Sequence, residues 1–427
     1  MTQGSDIVGD IDESGCVELL ARMVRFDSTR GSSGESELAR FLVDRMGEMG
    51  LEATLQPVEP GRFNALGVWR GTGGGPTLLF NGHIDTNPVT EGWTVDPWGG
   101  LVRDGCLYGI GASNMKAGDA AAFCAVRTLI ERGARPAGDV ILSFVVGELD
   151  GGIGTLEALG RGLRADWFVN CEPTDLRALT VHAGAMNFVV ELTGATRHVS
   201  KRREAVDALA AACALVPRID GASFLGAAGR AHQALSRAHV GALRAGLTRE
   251  FSEARPPQVA DFARLVGTAR YAPGESEASV LADLRGMVEQ LRGEYQGLSA
   301  EVFAQPRPPG WPAMLPFEVA GDAGIVRAVN RAYRAVRGAP QPTGAIEPAC
   351  WFWTDAAHLL HSGHMEGVVC GPGGRYNTMP DERVELADYL DAVRIYALVI
   401  LDVCGQAGVQ PAQRKEAPEH PRQDSNL

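Results

Sequence analysis

The sequence predicts an α/β protein interrupted by an inserted α+β domain, and three observations point there. Four apolar runs each end in polar or glycine-rich residues. Helical apolar spacing fills the chain between them. Between about Val181 and Val302 the character changes to alternating strands and two amphipathic helices. In open α/β sheets ligands bind beyond the carboxyl ends of the strands, which is where this chain collects its polar residues.

Taken in order, residues 1–12 read as a loose leader. From Gly15 to Val24 and from Ser36 to Met49 apolar residues recur at helical spacing, and Gly50 stops the second helix. Leu51 to Val58 and Phe63 to Trp69 read as strands. Pro76 to Phe80 is a buried strand leading into Asn81-Gly82-His83-Ile84-Asp85. Ala117 to Arg132 is an alanine-rich helix ended by Gly133. Asp139 to Val146 is nearly continuous in apolar residues, as a strand covered on both faces should be. It ends in Gly147-Glu148-Leu149-Asp150-Gly151-Gly152. Trp167 to Cys171 ends in Glu172-Pro173-Thr174, and Gly367 to Cys370 ends in Gly371-Pro372-Gly373-Gly374.

The insert takes residues 181–305. Within it Phe188 to Leu192, Val240 to Gly246 and Ala260 to Tyr271 read as strands, and Arg203 to Leu215 as a helix. Pro273-Gly274-Glu275-Ser276 caps a helix running to Arg292. Residues 13–180 and 306–404 form the two parts of the catalytic-type domain. Residues 405–427, rich in Gln, Pro, Arg, Glu and Asp, have the composition of a disordered tail.

Composition narrows the function. Net charge is −12 without a long basic run, which argues against nucleic acid or an anionic membrane as partner. No apolar stretch approaches the ~20 residues needed to span a bilayer. Met1 to Gly15 lacks the basic-then-apolar layout of a signal peptide, and the eight cysteines form no Cys-x-x-Cys pair. A cytoplasmic protein with reduced, buried cysteines is expected.

The chemistry centres on residues 79–119. His83 and Asp85 are two apart in extended chain, so both side chains share a face. That suits a metal-ligating imidazole and a carboxylate that orients it. Trp93, Asp96-Pro97-Trp98, Asp104-Gly105 and Gly109-Ile110-Gly111-Ala112-Ser113-Asn114-Met115-Lys116 follow. This series resembles the di-zinc amidohydrolases that include acetylornithine deacetylase, succinyl-diaminopimelate desuccinylase, aminoacylase and glutamate carboxypeptidase. Their pattern is Gly-His-x-Asp, Trp, Asp-Pro, Asp-Gly and Gly-Arg-Gly-x-x-Asp-Met-Lys. The resemblance implies a zinc-exopeptidase-like α/β/α catalytic domain with an inserted α+β domain serving as lid and dimerisation surface, hence a homodimer. Arg197-His198-x-Ser200 and Thr268-Ala269-Arg270-Tyr271-Ala272-Pro273-Gly274 carry a looser likeness in the insert.

In that family two zinc ions share a bridging Asp. One ion also takes the His of Gly-His-x-Asp and an acid from Glu-Pro-Thr. The other takes the second Glu of Glu-Glu-x-Gly-Gly and a late His, and the first Glu is the general base. The resemblance therefore gives His83 and Glu172 as ligands of one metal, Asp85 as a catalytic partner and Glu148 as acid/base, in register with Gly151-Gly152. All three protein positions of the other metal are changed: the bridge is Asn114, the second Glu is Leu149, and the late His is Asn377. Leu cannot ligate, and neutral amides are poor zinc ligands. Asp150 could substitute only by a one-residue shift that the two glycines oppose. No metal, or one zinc, is expected.

Other candidates are secondary. The family's counterpart of His198 reaches the neighbouring subunit's site and stabilises an oxyanion. Asn114, Asn377, Arg375 and Arg270 are candidate substrate contacts, the arginines for a carboxylate, although an ordinary surface or interdomain salt bridge is the better account of each arginine. His182 is a weak candidate, and Gly363 breaks any helix that would cluster His358, His361 and His364. Cys171 and Cys370 sit at strand ends, best explained as buried small residues. The expectation is an amidohydrolase homologue acting on an amide or amino-acid-like small molecule. Its chemistry is metal-independent or mono-metal, with Glu148 as acid/base, and specialised metabolism is a plausible setting. The alternatives are a conventional mono-zinc N-acyl amino acid or peptide hydrolase and a non-catalytic binding homologue.

Overall fold

The computed structural model describes residues 11–222, 232, 234–251 and 257–405. The first two residues of that range are not loose leader. Ile11 is buried, and the Asp12 carboxylate accepts the Gly15 amide at 2.9 Å, capping the helix Glu13–Val24. The expected leader at residues 1–10 and tail from 406 lie outside the described residues.

An eight-stranded mixed sheet forms the centre. Its spatial order is Glu52–Glu59, Arg62–Trp69, Val140–Val145, Leu78–His83, Trp167–Pro173, Glu366–Gly371, Ala178–Leu179 and Thr343–Gly344. The four strands from Val140–Val145 to Glu366–Gly371 run parallel. Leu78–His83 and Val140–Val145 are buried at every residue, which accounts for their unbroken apolar composition. Adjacent residues show the two covered faces. Phe80 packs against Tyr396 of the helix Leu386–Val403, with ring centroids 5.1 Å apart. Asn81 turns the other way and donates to Thr155 of Ile153–Gly160 at 3.2 Å. Helices Ser33–Glu48, Ala117–Glu131 and Gly324–Arg337 share the first face, and Ala356–His361 shares the second. Because the four strands are parallel, their carboxyl ends, and so His83, the Glu148 turn and Glu172, converge on one edge.

The insert is a four-stranded antiparallel sheet in the order Arg237–Gly246, Phe262–Tyr271, Gly184–Thr193, Ser299–Ala304. Helices Ala208–Asp220 and Glu277–Glu294 close a separate core around Phe188, Leu215, Leu265 and Leu284. The first helix begins five residues later than its periodicity suggests. Asp207 caps it by accepting the Ala210 amide at 3.0 Å, and Val199–Glu204 is a 3₁₀ segment instead. Ser276 caps the second helix, as the Pro-Gly-Glu-Ser signal implies. Chain entry and exit lie side by side, since Val181–His182 pairs antiparallel with Phe317–Glu318. Among the described residues no helix is long and apolar enough to cross a membrane.

Candidate active site

His83 closes its strand at 2 % exposure. Its Nδ1 donates to the Asp85 main-chain carbonyl at 2.8 Å, while the Asp85 carboxylate stands 3.6 Å away. Side-chain orientation of the ring by Asp85 was expected, but the shorter contact is main-chain. The carboxylate instead accepts the amides of Gly147 at 2.9 Å, Glu148 at 3.4 Å and Leu149 at 3.2 Å. Asp85 thus sets both His83 and the turn bearing Glu148. With Nδ1 donating, the neutral ring presents its lone pair at Nε2.

That Nε2 lies 3.5 Å from Glu172 Oε1 and 3.3 Å from Asn114 Oδ1. One donor atom each from His83, Glu148 and Glu172 fall within 4.8 Å of one another, and all three residues are buried. Among the described residues this is the one such cluster of His, Cys, Asp or Glu side chains placed to hold a metal ion. His83 and Glu172 offer one nitrogen and one carboxylate that suit a single zinc, with the Glu148 carboxylate beside them.

Electrostatics point the same way. Burial pushes the Glu148 carboxyl well up; His83 opposes this, and Glu172, Asp355 and Asp85 add to it. Burial likewise raises Glu172 to about 7, against the pull of His83. For His83 burial acts downward, but Glu172, Asp85 and Glu148 outweigh it and raise the imidazole. Asp85 is held low because His83 and the Leu149 amide offset its burial. So many buried carboxyls around one imidazole carry negative charge that a cation or added protons must offset.

Asn114, Leu149 and Asn377, expected at the second metal's positions, have partners of their own. Leu149 is half-buried with its amide on Asp85. Asn377 accepts from Ser113 Oγ at 2.5 Å, and Glu382 accepts the Ser113 and Asn114 amides at 2.9 Å each. Asp150 is no substitute ligand: it turns away to Arg62 and Arg30, at 2.6 Å from each.

The remaining candidates are dispersed. Arg270 projects from the insert, half-buried, and donates to the Trp351 carbonyl at 2.9 Å. Burial lowers it, and Glu148 is close enough to act on its charge. Arg375 pairs with Glu385 at 2.7 Å on the surface, the ordinary salt bridge. His198 is exposed on the insert, its Nδ1 3.0 Å from Ser200 Oγ, without contact to the His83 cluster of its own chain. His182 is buried and bonded to Ala183 and Thr354. His358 donates to the Gly151 carbonyl and His361 to that of Pro316, so these two histidines serve different loops. Cys171 and Cys370 are fully buried.

Two acids escaped the sequence reading. Asp355 is buried, accepts from Thr155 Oγ1 at 2.7 Å and acts on both Glu148 and Glu172. Asp119 is buried with neither carboxylate oxygen hydrogen-bonded, and burial raises it well above the carboxylate range. Asp119 reads in sequence as an ordinary first-turn helix acid. The one signal for Asp355 is its place before the short helix that carries His358.

Comparison with known proteins agrees with this arrangement. The family model for peptidase family M20/M25/M40 matches residues 79–402. The N-formyl-4-amino-5-aminomethyl-2-methylpyrimidine deformylase of Bacillus subtilis is 24% identical over 91% of this chain and 95% of its own. Succinyl-diaminopimelate desuccinylase 2 of Ruegeria sp. is 33% identical over 38% of this chain and 42% of its own. Among solved structures, a Staphylococcus aureus tripeptidase superposes with TM-score 0.73 at 20% identity, covering 92% of this chain and 99% of its own. By sequence, fold and the position of its buried His83–Glu148–Glu172 cluster, the chain belongs to peptidase family M20/M25/M40.

Proposed function

We propose that the protein acts on an amide bond of a small amino-acid-like molecule, at a site with one metal position and with Glu148 moving the proton. The observation that carries this reading is the buried trio His83, Glu148 and Glu172, beside Asn114, Leu149 and Asn377, which offer no second anionic ligand set. His83 and Glu172 would hold a single zinc ion, which when bound would polarise the substrate carbonyl and ease deprotonation of water. Glu148, adjacent to both, takes a proton from the attacking water and returns it to the leaving nitrogen, so charge balances over the cycle. Burial raises its pKa, which favours the protonated form that the leaving nitrogen needs.

Recognition falls to neutral and cationic groups around the trio. Arg270 would take a substrate carboxylate, and the amides of Asn114 and Asn377 would take polar groups where the second ion is missing. The deformylase, desuccinylase and deacetylase names among the relatives favour a small N-acyl compound over a long peptide. In this reading the protein is a homodimer in which exposed His198 serves the neighbouring site.

The test combines elemental analysis with a panel of N-formyl, N-acetyl and N-succinyl amino acids and dipeptides. One zinc per chain and turnover lost in Glu148→Gln support the reading. Two zinc ions per chain would sink it, as would full turnover by Glu148→Gln.

A further inference from the structure

The chain returns from the inserted sheet through residues 305–316, and this return segment rests on the turn that bears Glu148. At one end it is tied to the insert: the Met314 carbonyl accepts the Ala185 amide at 2.9 Å and the Tyr271 hydroxyl at 3.0 Å. Three residues earlier it meets the catalytic-type domain twice. Pro312 lies against Gly151, where an added Cβ would come within 3.4 Å of its ring. The Trp311 ring covers the Arg30 guanidinium at 5.4 Å. Arg30 in turn donates from Nε to Asp150 at 2.6 Å.

We propose that residues 311–314 form a strap that positions Glu148 according to the placement of the insert. Trp311 and Arg30 fix Asp150, and Asp150 with Pro312 fixes the turn from which Glu148 enters the His83–Glu172 pocket. Asp85 clamps the same turn from its other side through the amides of Gly147, Glu148 and Leu149. A movement of the insert carries Met314 with it, and Trp311 and Pro312 are three and two peptide units away. The turn therefore cannot stay indifferent to the insert, because its packing surface is part of the moving segment. Arg30, Asp150 and Trp311 are positioning residues. Asp150 is turned into the arginines and away from the trio.

The proposal rests on Glu148 being the proton-carrying group, and the test keeps the two apart. Hydrogen exchange of the Gly147–Leu149 amides reports the turn directly, with the strand Leu78–His83 as internal reference. Arg30 is half-exposed, so its replacement leaves the core intact. Trp311→Ala and Arg30→Met should each speed exchange in the turn about tenfold while Leu78–His83 keeps the wild-type rate. Trp311→Phe and Arg30→Lys should restore most of the protection. With an amide substrate in hand, kcat should fall about tenfold in the first pair with KM little changed, as misplacement of a catalytic group predicts. Unchanged exchange in the turn, or equal acceleration in both segments, would overturn the strap. Glu148→Gln should keep wild-type exchange and lose turnover. If it keeps turnover, the catalytic reading fails while the exchange data still decide the strap.

Discussion

Asp85 holds Glu148 by its backbone: the carboxylate of the first accepts the amide of the second at 3.4 Å, together with the flanking amides of Gly147 and Leu149. The carboxylate is wholly buried, and no water can replace these bonds. Hydrogen bonds to a charged group are worth about 1.5–3 kcal/mol each, and a buried donor left unmet costs a similar amount. Asp85→Asn retains one carbonyl oxygen and adds an amino group facing amide donors. It should lower stability by roughly 2 kcal/mol and turnover by about a hundredfold, read by urea unfolding and steady-state kinetics. Wild-type kcat in this variant would show that the turn does not need Asp85.

The proposal of one metal position can be tested by rebuilding the neighbouring one. Asn114→Asp, Leu149→Glu and Asn377→His together restore anionic and imidazole donors where the chain now offers amides and an alkyl group. The triple variant should bind one more zinc per chain than the wild type, measured by elemental analysis after desalting. His83→Ala should lose the first ion, since it removes the nitrogen donor of the trio. A triple variant that still takes one ion would mean that the second position is closed by packing as well as by ligand chemistry.

Much of this was legible before any coordinates. Fully buried parallel strands leave continuous apolar runs, and their ends announce themselves as His83, Glu148 and Glu172, so the sheet and the trio follow from pattern and register. The two glycines after Asp150 place Glu148 in register, and the structure brings it beside His83 and Glu172. The structure adds that Asp150 is occupied by Arg62 and Arg30. What the pattern hid is tertiary. Asp119 and Asp355 come to the site from helix starts rather than strand ends, and an acid in a helix's first turn needs no further explanation in sequence. Arg30 and Trp311 are 281 positions apart, and nothing local predicts their stacking. The start of the insert's first helix was misplaced because Ala- and Leu-rich periodicity extends past the residue that actually caps it, Asp207.

Arg62 anchors the floor of the same turn. Its side chain is 6% exposed and pairs with Glu35 and Asp150, themselves at 0% and 1%. Removing the guanidinium leaves buried Glu35 without its counter-ion and buried Asp150 with half-exposed Arg30 alone, and that loss outweighs the small packing change. Arg62→Met should destabilise the fold by about 3–5 kcal/mol. Adding Glu35→Gln should recover a large part of this, because it removes one of the stranded charges. A loss below about 1 kcal/mol, the range of exposed pairs, would show that water reaches the network.

His182 gives the pH signature of the junction between the two sheets. It lies on the segment leading into the insert, stacks on Phe317 at 5.3 Å, donates from Nδ1 to the Ala183 carbonyl and accepts the Thr354 hydroxyl at Nε2. Burial, with Arg270 and His361 adding to it, lowers its pKa to about 4, while the unfolded chain titrates at about 6.5. Between these values the unfolded state binds the extra proton, so stability rises with pH through that window. The contribution is complete above about 6.5 and is lost as pH falls toward 4; its size is on the order of 3 kcal/mol. His182→Gln keeps a donor and an acceptor but cannot protonate. The free-energy difference between wild type and this variant, from urea unfolding at a series of pH values, should favour the wild type most at pH 7–8 and shrink or reverse near pH 4.5. A difference independent of pH would mean that His182 finds an acceptor when charged, and that the junction opens to solvent before the ring titrates.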